Sequence, residues 1–168
     1  SAISLPRAID VANVAEQRLK LMASVYEHTS EAILVTDADK RIVSVNRAFA
    51  TLTGYGLEDV HGRNPSMLSA GRTSPEEYEA MWRAINDEGG WQGEIWDQRK
   101  DGSCYPKWLS ISTLRNDEGK ITHYIGSFTD MSERKLAEQR IHELAHNDVL
   151  TGLANRFSLD QRLAQAIG

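Results

Sequence analysis

The sequence has a single cysteine, Cys104, among its 168 residues. One cysteine cannot form an internal disulfide, and a chain so poor in cysteine is typical of a reducing cytoplasm. No run of about eighteen apolar residues occurs, which excludes a membrane-spanning helix within this sequence. The opening "SAISLPRAIDVANVAEQ" lacks the basic flank and apolar centre of a secretory leader. Basic residues are not in excess either, because the formal net charge is −5, whereas phosphate binding needs a basic face. We therefore expect a cytoplasmic protein in which these residues contact neither membrane nor nucleic acid; an anchor in the parent protein, if it has one, would precede residue 1.

Helical periodicity begins near the N-terminus and covers residues 10–30. Two adjacent apolar stripes run along this segment, so the helix needs a partner, either its own domain or a second copy of itself. We assign residues 1–21 to a linker or coiled-coil helix. Its predicted dimer positions are Val11, Val14, Leu21 and Val25.

The apolar period then changes to that of strands. The predicted strands are 32–37, 41–46, 91–99, 104–114 and 120–130. The strand–strand links are the turn-like segments "DADK", "KDGS" and "RNDEG", which favour antiparallel pairing. Two strands, a helical stretch and three further strands indicate an α+β fold.

Capping signals set the limits of the intervening helices. Asn46 is placed to cap a short helix that contains Phe49. Ser74 to Glu77 form a capping box with proline at the first helical position, and Gly89 ends that helix. Between the two helices, residues 56–73 are predicted to hold only loops and single turns. The buried face of the longer helix is expected to contain Tyr78, Met81, Trp82 and Ile85.

Residues 131–146, "MSERKLAEQRIHELAH", return to a helical pattern with one apolar seam among charges. We assign this segment as a signalling helix and a second dimer surface. The seam positions chosen for dimer contact are Leu136, Ile141 and Leu144.

Four segments occur in an order and spacing that resemble a PAS domain with its PAC part. They are "TSEAILVTDADKRIVSVNRAFATLTGY", "GRNPSMLSAGRTSPEEYEAMW", "GEIWDQRKDGSCYPKWLSIS" and "DEGKITHYIGSFTDMSERK". The resemblance spans roughly residues 22–135, and we place the sensor domain at 22–130. It implies a five-stranded antiparallel sheet with helices on one face and flanking helices at both ends. The family's exit signature resembles Asp130, Met131, Ser132, Glu133, Arg134 and Lys135, with serine in place of threonine.

A second resemblance lies close to the C-terminus. The stretch "DVLTGLANR", residues 148–156, resembles the entry to a GGDEF domain, the diguanylate cyclase module. We therefore assign 147–168 as the start of such a domain, without its catalytic half. The resemblance implies a parent diguanylate cyclase of cyclic di-GMP signalling, in which a phosphodiesterase domain often follows; this sequence itself is predicted to be non-catalytic.

Two metal-binding hypotheses are weak. "HELAH", His142 to His146, matches a zinc-protease motif, but it lies on the signalling helix without a third ligand, and a solvated helix face explains it better. Oxygen-sensing PAS domains hold haem through a histidine on the long helix, and helix 74–88 has none. His61 and His123 lie elsewhere and are best explained as exposed side chains. We predict no metal site and no haem.

Flavin is the third cofactor hypothesis, because "GRNPSMLS" and "RKDG" resemble the light-sensing LOV branch of the family. The photoreactive cysteine of that branch would fall at Pro65, so no thiol adduct can form. The amides that hold the flavin ring align with Asp97, Lys107 and Phe128, which cannot replace an amide's paired donor and acceptor. Asn64 is retained. We expect no cofactor, with flavin kept as an alternative.

Strand alternation and the resemblance together predict a ligand cavity on one face of the sheet. Its candidate residues are Phe49, Asn64, Met81, Trp82, Asp97, Lys107, Leu109, Ile111, Tyr124 and Phe128. Two interpretations of Asp97 and Lys107 remain open, a simple ion pair over a filled core or a site for a small polar metabolite, since buried charges are normally paired.

The opposite sheet face and the exit are predicted to transmit the signal. Trp96, Trp108, Ile121 and Ile125 are expected on that face, covered by the N-terminal helix of the same chain or of a dimer mate. Asp130 is expected to pair with Arg99 or Lys100, or else to cap the following helix, where Met131 to Arg134 begin the output path.

The function that these features predict is a PAS sensory and dimerisation module that binds a small ligand and regulates a diguanylate cyclase. Two alternatives are a constitutive dimerisation module with no ligand and a flavin- or haem-bearing redox or light sensor.

Overall fold

The computed structural model describes residues 4–147 and Gly152. The elements are α1 (Ser4–His28), β1 (Ala32–Asp37), β2 (Ile42–Val45), α2 (Arg47–Thr53), α3 (Leu57–Val60), a 3-10 helix (Pro65–Leu68), α4 (Pro75–Glu88), β3 (Gly90–Gln98), β4 (Cys104–Arg115) and β5 (Ile121–Asp130). A last helix, α5, covers residues 132–147. The chain divides into two compact units after Asp130.

The first unit is built on a five-stranded sheet with the spatial order β2-β1-β5-β4-β3, in which every neighbouring pair is antiparallel. The last strand therefore lies in the middle, between the first strand and the hairpin of β3 and β4. Helices α2 to α4 make the connection from β2 to β3 across the sheet. This arrangement confirms the predicted α+β fold.

The helices begin and end where the capping signals predicted. The Asn46 side chain accepts from the Phe49 backbone N–H at the start of α2. Ser74 and Glu77 form the reciprocal capping box of α4, and Gly89 ends it in the left-handed conformation, with φ 85°. α1 begins earlier than the periodicity indicated.

The core lies between the inner face of the sheet and α2 to α4. Phe49 of α2 and Phe128 of β5 are both fully buried and pack edge to face, with ring centroids 6.0 Å apart. Such a pair contributes on the order of 1 kcal/mol beyond its buried area. Ile85 of α4 is also fully buried and fixes that helix on the same core.

On the outer face of the sheet, one predicted position is wrong, and one of the two predicted covers is excluded. Ile121 packs against the core, because the pairing of β4 and β5 shifts register beside Leu114 and Arg115 and so interrupts the alternation. Trp108 remains 45% exposed, and the apolar side chains of α1 are exposed as well. The chain's own N-terminal helix therefore does not bury this face.

Asn46 connects three elements of the unit through four hydrogen bonds while being only 2% exposed. Its side-chain oxygen accepts from the backbone N–H groups of Ile33 and Phe49, at 2.9 and 3.0 Å. Its amide nitrogen donates to the carbonyls of Tyr26 and Glu31, both at 2.9 Å. One side chain thus joins the end of α1, β1 and the start of α2.

We expect Asn46→Ala to reduce the free energy of unfolding by about 3 kcal/mol, because four hydrogen bonds are lost and buried backbone groups lose their partners. Asn46→Asp should cost a similar amount, since a carboxylate cannot donate to the two carbonyls. Urea denaturation followed by circular dichroism measures both.

Asn116→Ala provides the matched control. Asn116 also accepts two backbone N–H groups, from Glu118 and Lys120, but in an exposed turn. We expect it to cost less than about 1.5 kcal/mol, since water can replace the lost bonds. Equal losses for the variants at the two positions would contradict the central role of Asn46.

Candidate functional site

A cavity of about 350 Å³ lies between the inner face of the sheet and α4. Most of the residues predicted for a ligand cavity line it: Asn64, Met81, Trp82, Asp97, Lys107, Leu109, Ile111 and Tyr124. The two phenylalanines of the prediction, Phe49 and Phe128, do not line it and belong to the fully buried core beside it.

The sequence prediction did not identify about half of the cavity wall. The additional residues are Leu34, Thr36, Lys40, Pro65, Ser66, Ser69, Tyr78, Ile95 and Gly126. Strand alternation was sufficient to find Leu34, Thr36 and Ile95, which share a face with residues already chosen. Lys40 carries no such signal, because it stands in a turn, with the unusual φ of 63°.

Two opposite charges lie together in the deep wall of the cavity. The Asp97 carboxylate Oδ2 and the Lys107 Nζ form an ion pair, and each side chain is only 5% exposed. The antiparallel register places Lys107 opposite Ile95 and Asp97 opposite Tyr105, so the two charges stand diagonally on adjacent strands of one face. Lys107 Nζ also lies 4.1 Å from the centroid of the Phe128 ring.

Burial acts on both members of this pair. It raises the pKa of Asp97 and lowers the pKa of Lys107, because each charged form loses its hydration. The attraction between the two groups opposes both shifts. The charge on each group therefore stabilises the ionised form of the other.

The partly exposed side of the cavity is aromatic and carries a second cation. Trp82 packs edge to face on Tyr124, with centroids 5.5 Å apart. Lys40 Nζ lies 3.8 Å from the centroid of the Trp82 ring, within the range of a cation–π contact. The Tyr78 hydroxyl donates to Ser69 Oγ at 3.1 Å and so ties α4 to the loop before it.

Arg99 lies beyond the deep end of the cavity and contacts three elements. Its Nη2 is 2.6 Å from Asp130 Oδ2 at the end of β5, and its Nη1 donates to the Leu52 carbonyl of α2 at 2.7 Å. The guanidinium also lies 4.0 Å from the centroid of the Tyr105 ring. Of the two partners proposed for Asp130, Arg99 makes the contact, whereas Lys100 pairs with Asp59.

Tyr105 stands between the cavity charges and Arg99. It is 1% exposed, and its hydroxyl has no hydrogen-bond partner within residues 4–147. Burial raises its pKa, and the nearby Asp97 carboxylate acts in the same direction. The neutral Tyr105 ring therefore lies between two ion pairs, that of Asp97 with Lys107 and that of Arg99 with Asp130.

The predicted output residues begin the second unit. Met131 precedes α5, and its carbonyl accepts from the Lys135 N–H at 2.9 Å. Ser132, Glu133 and Arg134 form the first turn, in which Arg134 pairs with Glu138 at 3.3 Å. Further along α5, the His142 and His146 rings stack with their centroids 6.4 Å apart. The described residues contain no cluster of three side chains that could bind a metal ion.

The positions chosen for dimer contact are all exposed in the single chain. They are Val11, Val14, Leu21 and Val25 on α1, and Leu136, Ile141 and Leu144 on α5. Among the described residues, none of the helices combines the length and the apolar composition that a membrane-spanning segment requires. The segment "DVLTGLANR", apart from Gly152, lies outside the described residues.

The cavity does not fit the flavin of the LOV branch. Pro65, which the resemblance places at the position of the reactive thiol, lines the cavity, and Phe128 is fully buried outside the cavity wall. Asp97 and Lys107, in place of two amides, are paired with each other. A flavin edge has an N–H between two carbonyls, and the carbonyls lie on opposite sides of that N–H, so one ammonium held beside the Asp97 carboxylate can donate to only one of them.

Curated relatives resemble this chain over most of its length. A nitrogen fixation regulatory protein of Klebsiella oxytoca is 33% identical over 92% of this chain, which spans 30% of that protein. A blue-light-activated histidine kinase of Rhizobium johnstonii is 36% identical over 80% of this chain and 39% of its own length. The chain thus spans well under half of these two relatives.

Solved structures agree with this resemblance. An RNA-binding Light-Oxygen-Voltage receptor superposes with a TM-score of 0.66 and 34% identity, covering 75% of this chain and 36% of its own. A PAS domain from Colwellia psychrerythraea superposes with a TM-score of 0.64 and 25% identity, covering 68% of this chain and 98% of its own. Residues 30–133 match the sequence profile of the PAS domain. The chain therefore belongs to the PAS domain family of sensory modules.

Proposed function

We propose that this PAS domain is a non-catalytic sensor that binds a small molecule in its cavity and passes occupancy to α5. The observation that carries the proposal is a cavity of about 350 Å³ with an ion pair in its wall. This volume lies at the lower end of the range of about 300–1,000 Å³ for ligand pockets. The alternative, a constitutive module with a filled core, does not explain why two buried charges line an internal cavity.

A cofactor-bearing sensor is the weaker alternative. None of the described residues that line the cavity is a histidine, so a haem iron would lack its usual axial ligand. The flavin hypothesis meets the mismatches at Pro65, Phe128 and the ion pair. A colourless metabolite is the better match.

The proposed transmission path runs from the cavity charges to the start of α5. Asp97 lies opposite Tyr105 and Lys107 lies opposite Asp130, so the cavity wall and the exit share strand β4. Arg99 contacts both Tyr105 and Asp130. A ligand that binds one arrangement of this path more tightly than another would shift the populations of the two.

The exposed apolar positions on α1 and α5 support a dimer, which would bring two copies of the output domain together. The apolar positions on α1 that we assign to dimer contact are between 56% and 69% exposed, and Ile141 and Leu144 on α5 are comparably exposed. Helices of this kind are stabilised by pairing along their seams. We infer a homodimer formed through the flanking helices.

The proposed output is a cytoplasmic diguanylate cyclase, supported by the residues "DVLTGLANR" at 148–156. Such an enzyme joins two GTP molecules, so two active sites must meet, and paired helices can set their approach. The relatives named above include a histidine kinase and a regulatory protein, so the output differs among proteins that share this domain.

We expect the purified protein to show no absorption band at about 450 nm, where flavins absorb, or at about 400 nm, where haem absorbs. Incubation with excess flavin mononucleotide followed by gel filtration should leave the protein colourless. Stoichiometric retention of flavin would contradict the assignment of the cavity to another ligand.

We expect Arg99→Met to speed amide hydrogen exchange at residues 128–134 by at least about tenfold, because a partly buried charge-assisted contact is worth about 1.5–3 kcal/mol. In the parent protein the same variant should lose the response of the output to ligand. Lys100→Met is the matched control. Lys100 is the cation next to Arg99 in the sequence, but it pairs with Asp59 at 3.3 Å, and its side chain is more exposed than that of Arg99. Identical exchange in the two variants would remove Arg99 from the path.

We expect the protein extended through its native continuation to convert GTP to cyclic di-GMP. High-performance liquid chromatography of the nucleotide products measures this directly. A folded, dimeric parent protein that forms no cyclic di-GMP with or without Mg²⁺ would exclude the cyclase output while leaving the sensor unaffected.

A further inference from the structure

The ion pair in the cavity wall has unused hydrogen-bonding capacity. An ammonium has three donors and a carboxylate about four acceptor sites. Within residues 4–147, Asp97 and Lys107 have each other as their only polar side-chain partner. Both line the cavity and both are more than nine-tenths buried, so water reaches them poorly. Buried charges in this condition are costly unless further hydrogen bonds are made.

We propose that Asp97 and Lys107 together bind the cis-amide edge of a neutral ligand, such as a lactam or a pyridone, through its adjacent N–H and C=O. The ligand N–H donates to the Asp97 carboxylate, while the Lys107 ammonium donates to the ligand carbonyl. The ion pair stays intact and gains a hydrogen bond at each member. This inference rests on the proposed ligand-binding function and specifies the chemistry of the ligand.

The surroundings of the pair favour a neutral ligand over a charged one. Leu34, Met81 and Ile95 are apolar parts of the wall, and each is at most 7% exposed. A zwitterion would bring two more charges into this environment, and their desolvation would offset most of the attraction. A neutral amide edge satisfies both members of the pair at a lower desolvation cost.

The rest of the cavity favours a flat, apolar body attached to that edge. Trp82 and Tyr124 contribute aromatic side chains to the wall, and Leu109 and Ile111 continue it on β4. Aromatic ligands pack well against such surfaces. The edge should carry a single carbonyl, because Lys107 is the one cation paired at that end of the described cavity.

The probes are 2-quinolone, which has the N–H beside the C=O on a flat bicyclic body, and N-methyl-2-quinolone, which lacks only the N–H donor. Isothermal titration calorimetry with the wild-type protein should show binding of 2-quinolone at least about tenfold tighter than that of the N-methyl compound, the factor expected for one hydrogen bond to a charged group. Equal affinity for the two probes would overturn the proposal, and this comparison needs no variant.

The variant test replaces the pair as a unit, with Asp97→Leu and Lys107→Met together. Replacing a buried ion pair with apolar residues of similar size is often neutral or stabilising, whereas removing one partner leaves an uncompensated charge. We expect the double variant to fold and to lose the preference for 2-quinolone over its N-methyl analogue. Lys100→Met, at an exposed ion pair outside the cavity, should retain that preference.

Leucine and benzoate distinguish failure of this inference from failure of the sensor function. If either charged compound raises the Tm of the wild-type protein and 2-quinolone does not, the neutral-amide assignment is wrong and the ligand-binding function stands. If no compound raises the Tm and no small molecule is released on denaturing the purified protein, the ligand-binding function fails as well.

Discussion

The burial of two opposite charges on adjacent strands is the constraint on which the cavity depends. Asp97 and Lys107 occupy the inner face of the sheet, where apolar side chains would normally complete the core. Neither charge is tolerable there alone, and the pair itself contributes little net stability after desolvation. A fold that keeps such a pair beside an internal space packs less tightly there, and under the proposed function the pair provides a polar surface for a ligand.

The register of strand β4 links this surface to the end of the domain. Tyr105 and Lys107 alternate along β4 with their side chains on the inner face, and their partners across the sheet are Asp97 and Asp130. In the proposed transmission path, a small displacement of β4 affects the cavity wall and the end of β5 together. Arg99 adds a second connection, because it contacts the carbonyl end of α2 as well as Asp130. Rigid pairing of this kind transmits a shift, whereas a loosely packed core would absorb it.

Much of this arrangement could be predicted from the sequence, because it depends on short-range rules. Strand alternation placed Asp97 and Lys107 on one face, and the capping signals at Asn46 and Ser74 located two helices. The PAS resemblance then supplied the five-stranded antiparallel sheet with its flanking helices, whereas the spatial order of the strands was not predicted. The recognition of the family and the fold class is confirmed, while the cyclase start at 148–156 stays a prediction.

The remaining features depend on distances that no local pattern encodes. Lys40 reaches the Trp82 ring from a turn, and its contact follows from the tertiary path of the chain. The register shift near Leu114 moved Ile121 from the outer face to the core. The volume of the cavity is the difference between the space that the backbone encloses and the volume that the side chains fill. This difference cannot be obtained from the amino-acid composition.

The proposed separation between sensing and output accounts for relatives that have different activities and share this unit. In the two curated relatives named above, the matched region is 30% and 39% of the protein, and one of them is a kinase. A receptor that ends in a helix requires from its output only that the output respond to the position or pairing of that helix. Under the proposed function, the charges in the cavity can differ with the ligand and the output can differ with the pathway, while the ion pair of Arg99 with Asp130 holds the end of β5 beside the hairpin of β3 and β4.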